Sequence, residues 1–163
     1  MESLPAAKSA SASRVTMTEL VIPEDTNPQG NIFGGRVMAL IDKAAAIVGM
    51  RHCRTEVTTA SVDNLTFLSP IRLGSIVILE GRLHNVFRSS MEVGIRVESE
   101  DVFTGARRHT TTAFVTLVSV DREGNPIPAP PLLLETEEDR RLAREASERR
   151  AHRLRDRRAP PVP

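Results

Sequence analysis

The sequence predicts an α+β fold in which one antiparallel five-stranded sheet wraps round a single long helix, with a second, charged helix at the C-terminus. Three observations carry this. From Gly35 onward, apolar residues recur at helical spacing, and no Pro interrupts the run until well past His52. After it the period changes to two, and four strand-like segments follow with connections too short for crossover helices, which makes the sheet antiparallel. A lone internal helix buries its apolar stripe only if the sheet curls round it.

Met1 to Arg14 is rich in Ala and Ser and has no period, so it reads as a mobile tail. Val15–Ile22 (VTMTELVI) reads as the first strand. Pro23–Gly34 (PEDTNPQGNIFG) holds two Pro, two Asn and two Gly and is a loop. In the helix, Val37, Leu40, Ile41, Ala44 and Val48 form one stripe. Strands follow over Thr58–Phe67, ending at Ser69-Pro70, over Ser75–Leu83, over Met91–Glu98 and over His109–Val120. In the third of these, Met91, Val93, Ile95 and Val97 take one face, while Glu92, Arg96 and Glu98 take a polar one. Asp121–Asn125 is a turn, and Pro126–Pro131 (PIPAPP) a rigid linker. Glu135–Arg158 reads as a helix opened by a Thr136/Asp139 capping box and stopped before Pro160-Pro161. The expected division is a tail over 1–14, a domain over 15–131 and a C-terminal segment over 132–163.

A length of 163 residues fits one domain with tails and a core that needs no staples. Composition excludes several classes. Five Phe with no Trp or Tyr argue against base-stacking or carbohydrate platforms. A net charge of +1 excludes a whole-protein field for nucleic acid, although 20 Arg stand against only Lys8 and Lys43. The one cysteine, Cys53, excludes an intrachain disulfide and a cysteine zinc cluster. No apolar run approaches a membrane span, and no secretory signal opens the chain, so a cytoplasmic protein is expected.

The chemistry-bearing stretch is Asn27 to Ala46, NPQGNIFGGRVMALIDKAAA. Gly34-Gly35 stands where a loop enters a helix. The first free N–H groups of that helix suit an anion or a developing oxyanion, and a plain turn would look the same. Asp42 projects well off the apolar stripe, beside Met38, Ala45, Ala46 and Gly49. It is either a partly buried carboxylate facing a packed surface, a candidate base or nucleophile, or an exposed helical Asp paired with an Arg. Asn27 offers a donor and an acceptor, or is a turn residue before Pro28. The histidines at 52, 84, 109 and 152 are not at metal-ligand spacing, so no metal is expected. Cys53 directly follows His52, which on a helix points the two apart. Asp63 suits a structural or interfacial role. Arg88-Ser89-Ser90, at a tight connection, supplies a cation and two hydroxyls that suit phosphate or pantetheine, or is a polar turn. Arg149–Arg158 carries six Arg and one Asp, either an anion-binding tail or a solvated helix end.

Asn27-x-x-Gly30-x-x-Phe33-Gly34-Gly35, with Met38 and Asp42 before small residues, resembles the hotdog-fold acyl-CoA thioesterases. Ser61-Val62-Asp63, Phe67 before Pro70, Ser89–Val93 and Asp121…Gly124 add to the resemblance, which covers about Thr16 to Pro131. It implies hydrolysis of acyl-CoA to a carboxylic acid and CoA, with no cofactor beyond the CoA of the substrate. Asp42 then matches the catalytic carboxylate, Gly35 the oxyanion donor with Gly34 and Phe33 beside it, and Asn27 the loop amide that positions water or substrate. It further implies a dimer sharing Asn27 of one subunit and Asp42 of the other, a trimer of such dimers, and CoA held at Arg88, Ser89 and Ser90, with Arg36 a further cation suited to its phosphates. Phe87-Arg88 and Gly74-Ser75 depart from the family pattern. Two rivals stand beside this reading. A hydratase or dehydratase of the same fold would use a His with a carboxylate, and the loop–helix motif has no His. An acyl-CoA-sensing regulator would need a DNA-binding segment, and the Arg149–Arg158 stretch is too short for one.

Overall fold

The computed structural model describes residues 5–63 and 65–157. In chain order the elements are β1 (Lys8–Ser9), β2 (Val15–Leu20), α1 (Gly34–Cys53), β3 (Glu56–Val62), β4 (Ile76–Val86), β5 (Ser90–Glu100), β6 (Arg107–Val120), β7 (Leu132–Leu133) and α2 (Glu137–Asp156). One sheet has the order β2-β4-β5-β6-β3, and every neighbouring pair in it is antiparallel. Helix α1 touches all five of these strands. Five strands about 4.8 Å apart are wider than one helix about 10 Å across, so this contact requires the sheet to curl. The wrapped helix and five strands are present, although the strand expected over Thr58–Phe67 runs instead over Glu56–Val62, and the fold is the hotdog fold.

The predicted stripe is the core. Val37, Leu40, Ile41, Ala44 and Val48 are each at most 1% exposed, and Met91, Val93, Ile95 and Val97 of β5 face them at 0%. Burying each such aliphatic side chain contributes about 1.5–3 kcal/mol. Close approach of helix to sheet depends on two glycines. A Cβ on Gly49 would stand 2.7 Å from Leu117 Cδ1, and one on Gly81 2.9 Å from Val48 Cγ2.

Three expectations are corrected. Lys8–Ser13 is packed against the domain and is no loose tail: β1 pairs in parallel with β7, and Ala10 and Ser13 are buried. Lys8 Nζ donates to the carbonyl of His52 at 2.6 Å, and so caps the end of α1. Small Ala and Ser side chains allow this packing but leave no periodic signal. Likewise, Pro126–Pro131 is no free linker. Ile127 and Ala129 donate to the carbonyls of Ser119 and Arg88, and Ala129 and Pro130 are buried. The boundary expected at 131 therefore does not divide the structure.

The third correction concerns the outer face of the sheet. Glu92, assigned to a polar face, is 0% exposed, because α2 lies across that face. The Thr136/Asp139 box forms in both directions, Arg82 joins Asp139 and Glu138, and the small Ala143 and Ala146 are the buried points of contact. Arg149 and Arg153 turn inward to Glu92 at 2.7 and 3.2 Å, and the Arg149 guanidinium stacks 3.8 Å over Phe114. The Arg-rich stretch is thus no free tail: Arg149 and Arg153 turn inward, while Arg150, Arg155 and Arg157 stay exposed, as expected for a solvated helix end. The expected stop at Pro160-Pro161 lies outside the described residues.

Candidate active site

The loop before α1 is tightly framed. Asn27 Oδ1 accepts from the backbone N–H groups of Gln29 and Asn31 at 3.0 and 3.2 Å, closing a turn on its own chain. Gly30 has φ +75, a conformation that favours glycine. Two bonds tie this loop to the one before β4: Ile32 N–H to Ile71 O at 2.7 Å and Leu73 N–H to Gly30 O at 2.9 Å. Phe33 N–H donates to Asp25 O at 2.9 Å, and Arg36 pairs with the Asp25 carboxylate at 2.8 Å. Arg36, expected as a cation for phosphate, is therefore engaged in holding the loop.

Phe33 is the N-cap of α1 and offers no side-chain acceptor. Its carbonyl accepts from Arg36 and Val37. Among the described residues, the N–H groups of Gly34 and Gly35 have no acceptor, as expected for the first turn of a helix. A Cβ on Gly35 would meet nothing within 4 Å, and the residue is exposed. The helix dipole adds positive potential there. Phe33 itself is 50% exposed beside it.

Asp42 lies two turns further along α1, about 10 Å from Gly35 at 1.5 Å per residue. It is exposed in the single chain. Its partner is not an arginine: the Thr59 hydroxyl donates to Oδ1 at 2.6 Å. Of the neighbours read as one small-residue face, Met38 is exposed, whereas Ala45 and Gly49 are buried. Helix α1 is wrapped further round than its five-residue stripe indicates, so part of that face belongs to the core. Sequence reasoning missed Thr59. The contact joins a helix to an edge strand, and no spacing in the sequence announces it.

Other candidates are not brought together in one chain. Arg88-Ser89-Ser90 forms the β4–β5 hairpin, with Phe87 N–H to Ser90 O at 2.8 Å and the Arg88 side chain exposed. The start of β4 is tied to the Asn27 loop and the hairpin is at its other end, about 30 Å of strand away. Asp63 pairs with Arg153 at 2.8 Å, the structural role expected. His52 Nε2 bonds Pro130 O at 2.8 Å, and burial pushes its pKa down. Burial pushes the Cys53 thiol up, which makes it a poor nucleophile. Burial alone would raise Glu92; contact with His84 and the two-pronged Arg149 bond outweigh it and hold the carboxyl at about 2. Clefts of about 590 and 500 Å³ flank α2, and neither includes Asn27, Gly34, Gly35 or Asp42. Among the described residues no three His, Cys, Asp or Glu side chains are grouped to hold a metal, and no helix is long and apolar enough to cross a membrane.

The site thus combines open amides at a helix start with a hydrogen-bonded carboxylate, on a helix enclosed by a curled sheet. Residues 29–106 match the model of the thioesterase superfamily. The chain is 41% identical over 145 residues to the uncharacterized acyl-CoA thioester hydrolase YkhA of Bacillus subtilis, covering 89% of this chain and 84% of that protein. The chain belongs to the thioesterase superfamily. Within it, a solved apo-hexameric acyl-CoA thioesterase superposes with TM-score 0.90 and 40% identity, over 96% of this chain and 100% of the other. The acyl-CoA hydrolase of Staphylococcus aureus, solved with butyryl-CoA and CoA, superposes with TM-score 0.85 and 34% identity, over 93% and 92%. Further structures of the Staphylococcus aureus enzyme carry alanine in place of one aspartate, one asparagine or one threonine.

Proposed function

We propose that this protein hydrolyses acyl-CoA thioesters to a carboxylic acid and CoA. The observation that carries the reading is the pair of acceptor-free amides at Gly34 and Gly35, on the helix that also carries Asp42. A thioester carbonyl oxygen bound to those amides gains stabilisation as it becomes an oxyanion, in a site whose donors are already oriented. Asp42 takes the proton of an attacking water, or itself attacks the carbonyl carbon. The tetrahedral intermediate expels CoA as a thiolate, which is then protonated. Thr59 positions Asp42, and Asn27 positions water or substrate. Aspartate, asparagine and threonine are also the three residue types replaced in the Staphylococcus aureus structures. None of these roles calls for a cofactor beyond the CoA of the substrate.

In one chain, Asp42 and the amides are about 10 Å apart along the helix, too far to meet at one carbonyl. The active unit is therefore a dimer in which Asn27, Gly34 and Gly35 of one subunit face Asp42 of the other. Strand β3 supports this: among the described residues it pairs only with β6, leaving an edge beside Thr59 that suits a second copy about a two-fold axis. Three such dimers make a hexamer, the state of the apo thioesterase that superposes on this chain. CoA is held at the Arg88–Ser90 hairpin of a neighbouring subunit, since the hairpin lies far from its own helix start. A cytoplasmic location is the companion proposal, which cell fractionation tests.

The hydratase alternative is disfavoured by the one His–carboxylate pair near β5. His84 Nδ1 is 3.5 Å from Glu92, but that carboxylate is sealed under α2 and bound by arginines. The test is thiol release by the purified protein across acyl-CoA chain lengths, with oligomer mass measured by light scattering. Release from none of them, or a monomer with full activity, contradicts the proposal.

A further inference from the structure

Phe67 reaches the start of α1 from the loop between β3 and β4. A Cβ on Gly34 would stand 3.3 Å from Phe67 Cε2 and 3.6 Å from Cζ, so the ring is in contact with the glycine whose amide is free. The ring is still 42% exposed, which is not the burial of a core aromatic. Its loop is firmly held: Leu68 N–H donates to Thr110 O at 2.8 Å, and Ile71 and Leu73 bond the Asn27 loop. Phe67 therefore forms a fixed apolar wall against Gly34, at the helix start that also carries the Gly35 amide.

We propose that Phe67 selects the substrate at the carbon next to the thioester carbonyl, and rejects acyl groups branched there. The inference rests on the thioesterase reading above. A carbonyl oxygen about 3 Å from the Gly34 and Gly35 amides brings its own carbon and the adjoining α-carbon against the ring. An unbranched CH2 passes along the face of the ring, while a second carbon on the same atom collides with it.

The test compares kcat/KM for butyryl-CoA and isobutyryl-CoA, by thiol release, in the unaltered protein and in Phe67→Ala and Phe67→Leu. A single carbon in an apolar pocket discriminates by about 10- to 200-fold, so Phe67→Ala raises the isobutyryl-to-butyryl ratio by about tenfold or more, with Phe67→Leu in between. Elution volume and thermal midpoint check assembly, and if Phe67→Ala does not assemble, the ratio in Phe67→Leu decides. A ratio that stays level or falls overturns the assignment while leaving hydrolysis intact. No release by the unaltered protein from any acyl-CoA overturns the thioesterase reading, and this inference with it.

Discussion

Replacing Glu92 with Gln keeps the shape of the side chain and removes the charge that holds α2 to the sheet. Glu92 is 0% exposed; burial alone would raise its pKa, and contact with His84 and the bonds from Arg149 outweigh this and hold its carboxyl at about 2 against an ordinary 4.5. A depression of that size corresponds to about 3 kcal/mol of stability. The folded-state pKa is the lower one, so this stability is fully present above pH 4.5 and is lost as pH falls from 4.5 towards 2. Glu92→Gln therefore lowers the thermal midpoint at pH 7 by roughly 6–12 °C for a domain of this size. Other carboxylates titrate in the same acid range, so the decisive quantity is the gap between variant and unaltered protein. Circular dichroism melts at fixed protein concentration, run from pH 7 to pH 2.5, should show that gap closing in acid. A variant as stable as the parent at pH 7, or a gap that persists undiminished at pH 2.5, refutes the role given to this cluster.

Thr59→Val removes a hydrogen bond to a charged carboxylate, worth about 1.5–3 kcal/mol; it should lower kcat about tenfold or more with little change in KM, and Thr59→Ser should restore most of the loss. Ending the chain at Leu134 removes α2 and uncovers the outer sheet face, so the midpoint should fall at least as far as in Glu92→Gln and binding of a hydrophobic dye should rise. Gly49→Val drives carbon atoms into Leu117 and Val57, at 2.7 and 3.3 Å from the first added atom, and should cost about 1–3 kcal/mol in urea unfolding.

The inner half of the fold was legible in the residues and the outer half was not. The stripe from Val37 to Val48 and the alternation from Met91 to Val97 name the core, because periodicity reports one-sided burial directly. Glu92 shows where that logic stops. A carboxylate on the second face of a strand reads as solvated, and only the arrival of Arg149 from 57 residues away makes it a buried anchor. The same holds for Lys8 and Ser9, whose pairing with Leu132 and Leu133 is long-range and leaves no local pattern. In the candidate site, residue type and helix position mark Gly34-Gly35 and Asp42 as candidates only; the resemblance to the thioesterases, not their spacing, supplies the roles proposed for them. Thr59 and Phe67 were not singled out for the site, since each acquires its place through a contact between separate elements. The tail's role shows the cost of reading charge as charge: Arg149 and Arg153 are spent on Glu92 and Asp63, so loss of activity on deleting α2 would not identify a CoA contact.

The central claim is that Asp42 and the Gly34–Gly35 amides together cleave a thioester. The most direct measurement is thiol release from butyryl-CoA by the assembled protein and by Asp42→Asn, with oligomer mass and thermal midpoint measured alongside. General-base or nucleophilic catalysis by this carboxylate predicts release by the parent and a fall of about a hundredfold or more in kcat for an Asp42→Asn protein of unchanged mass and stability. Near-parental turnover by an intact Asp42→Asn assembly would contradict the account and move the chemistry to other residues.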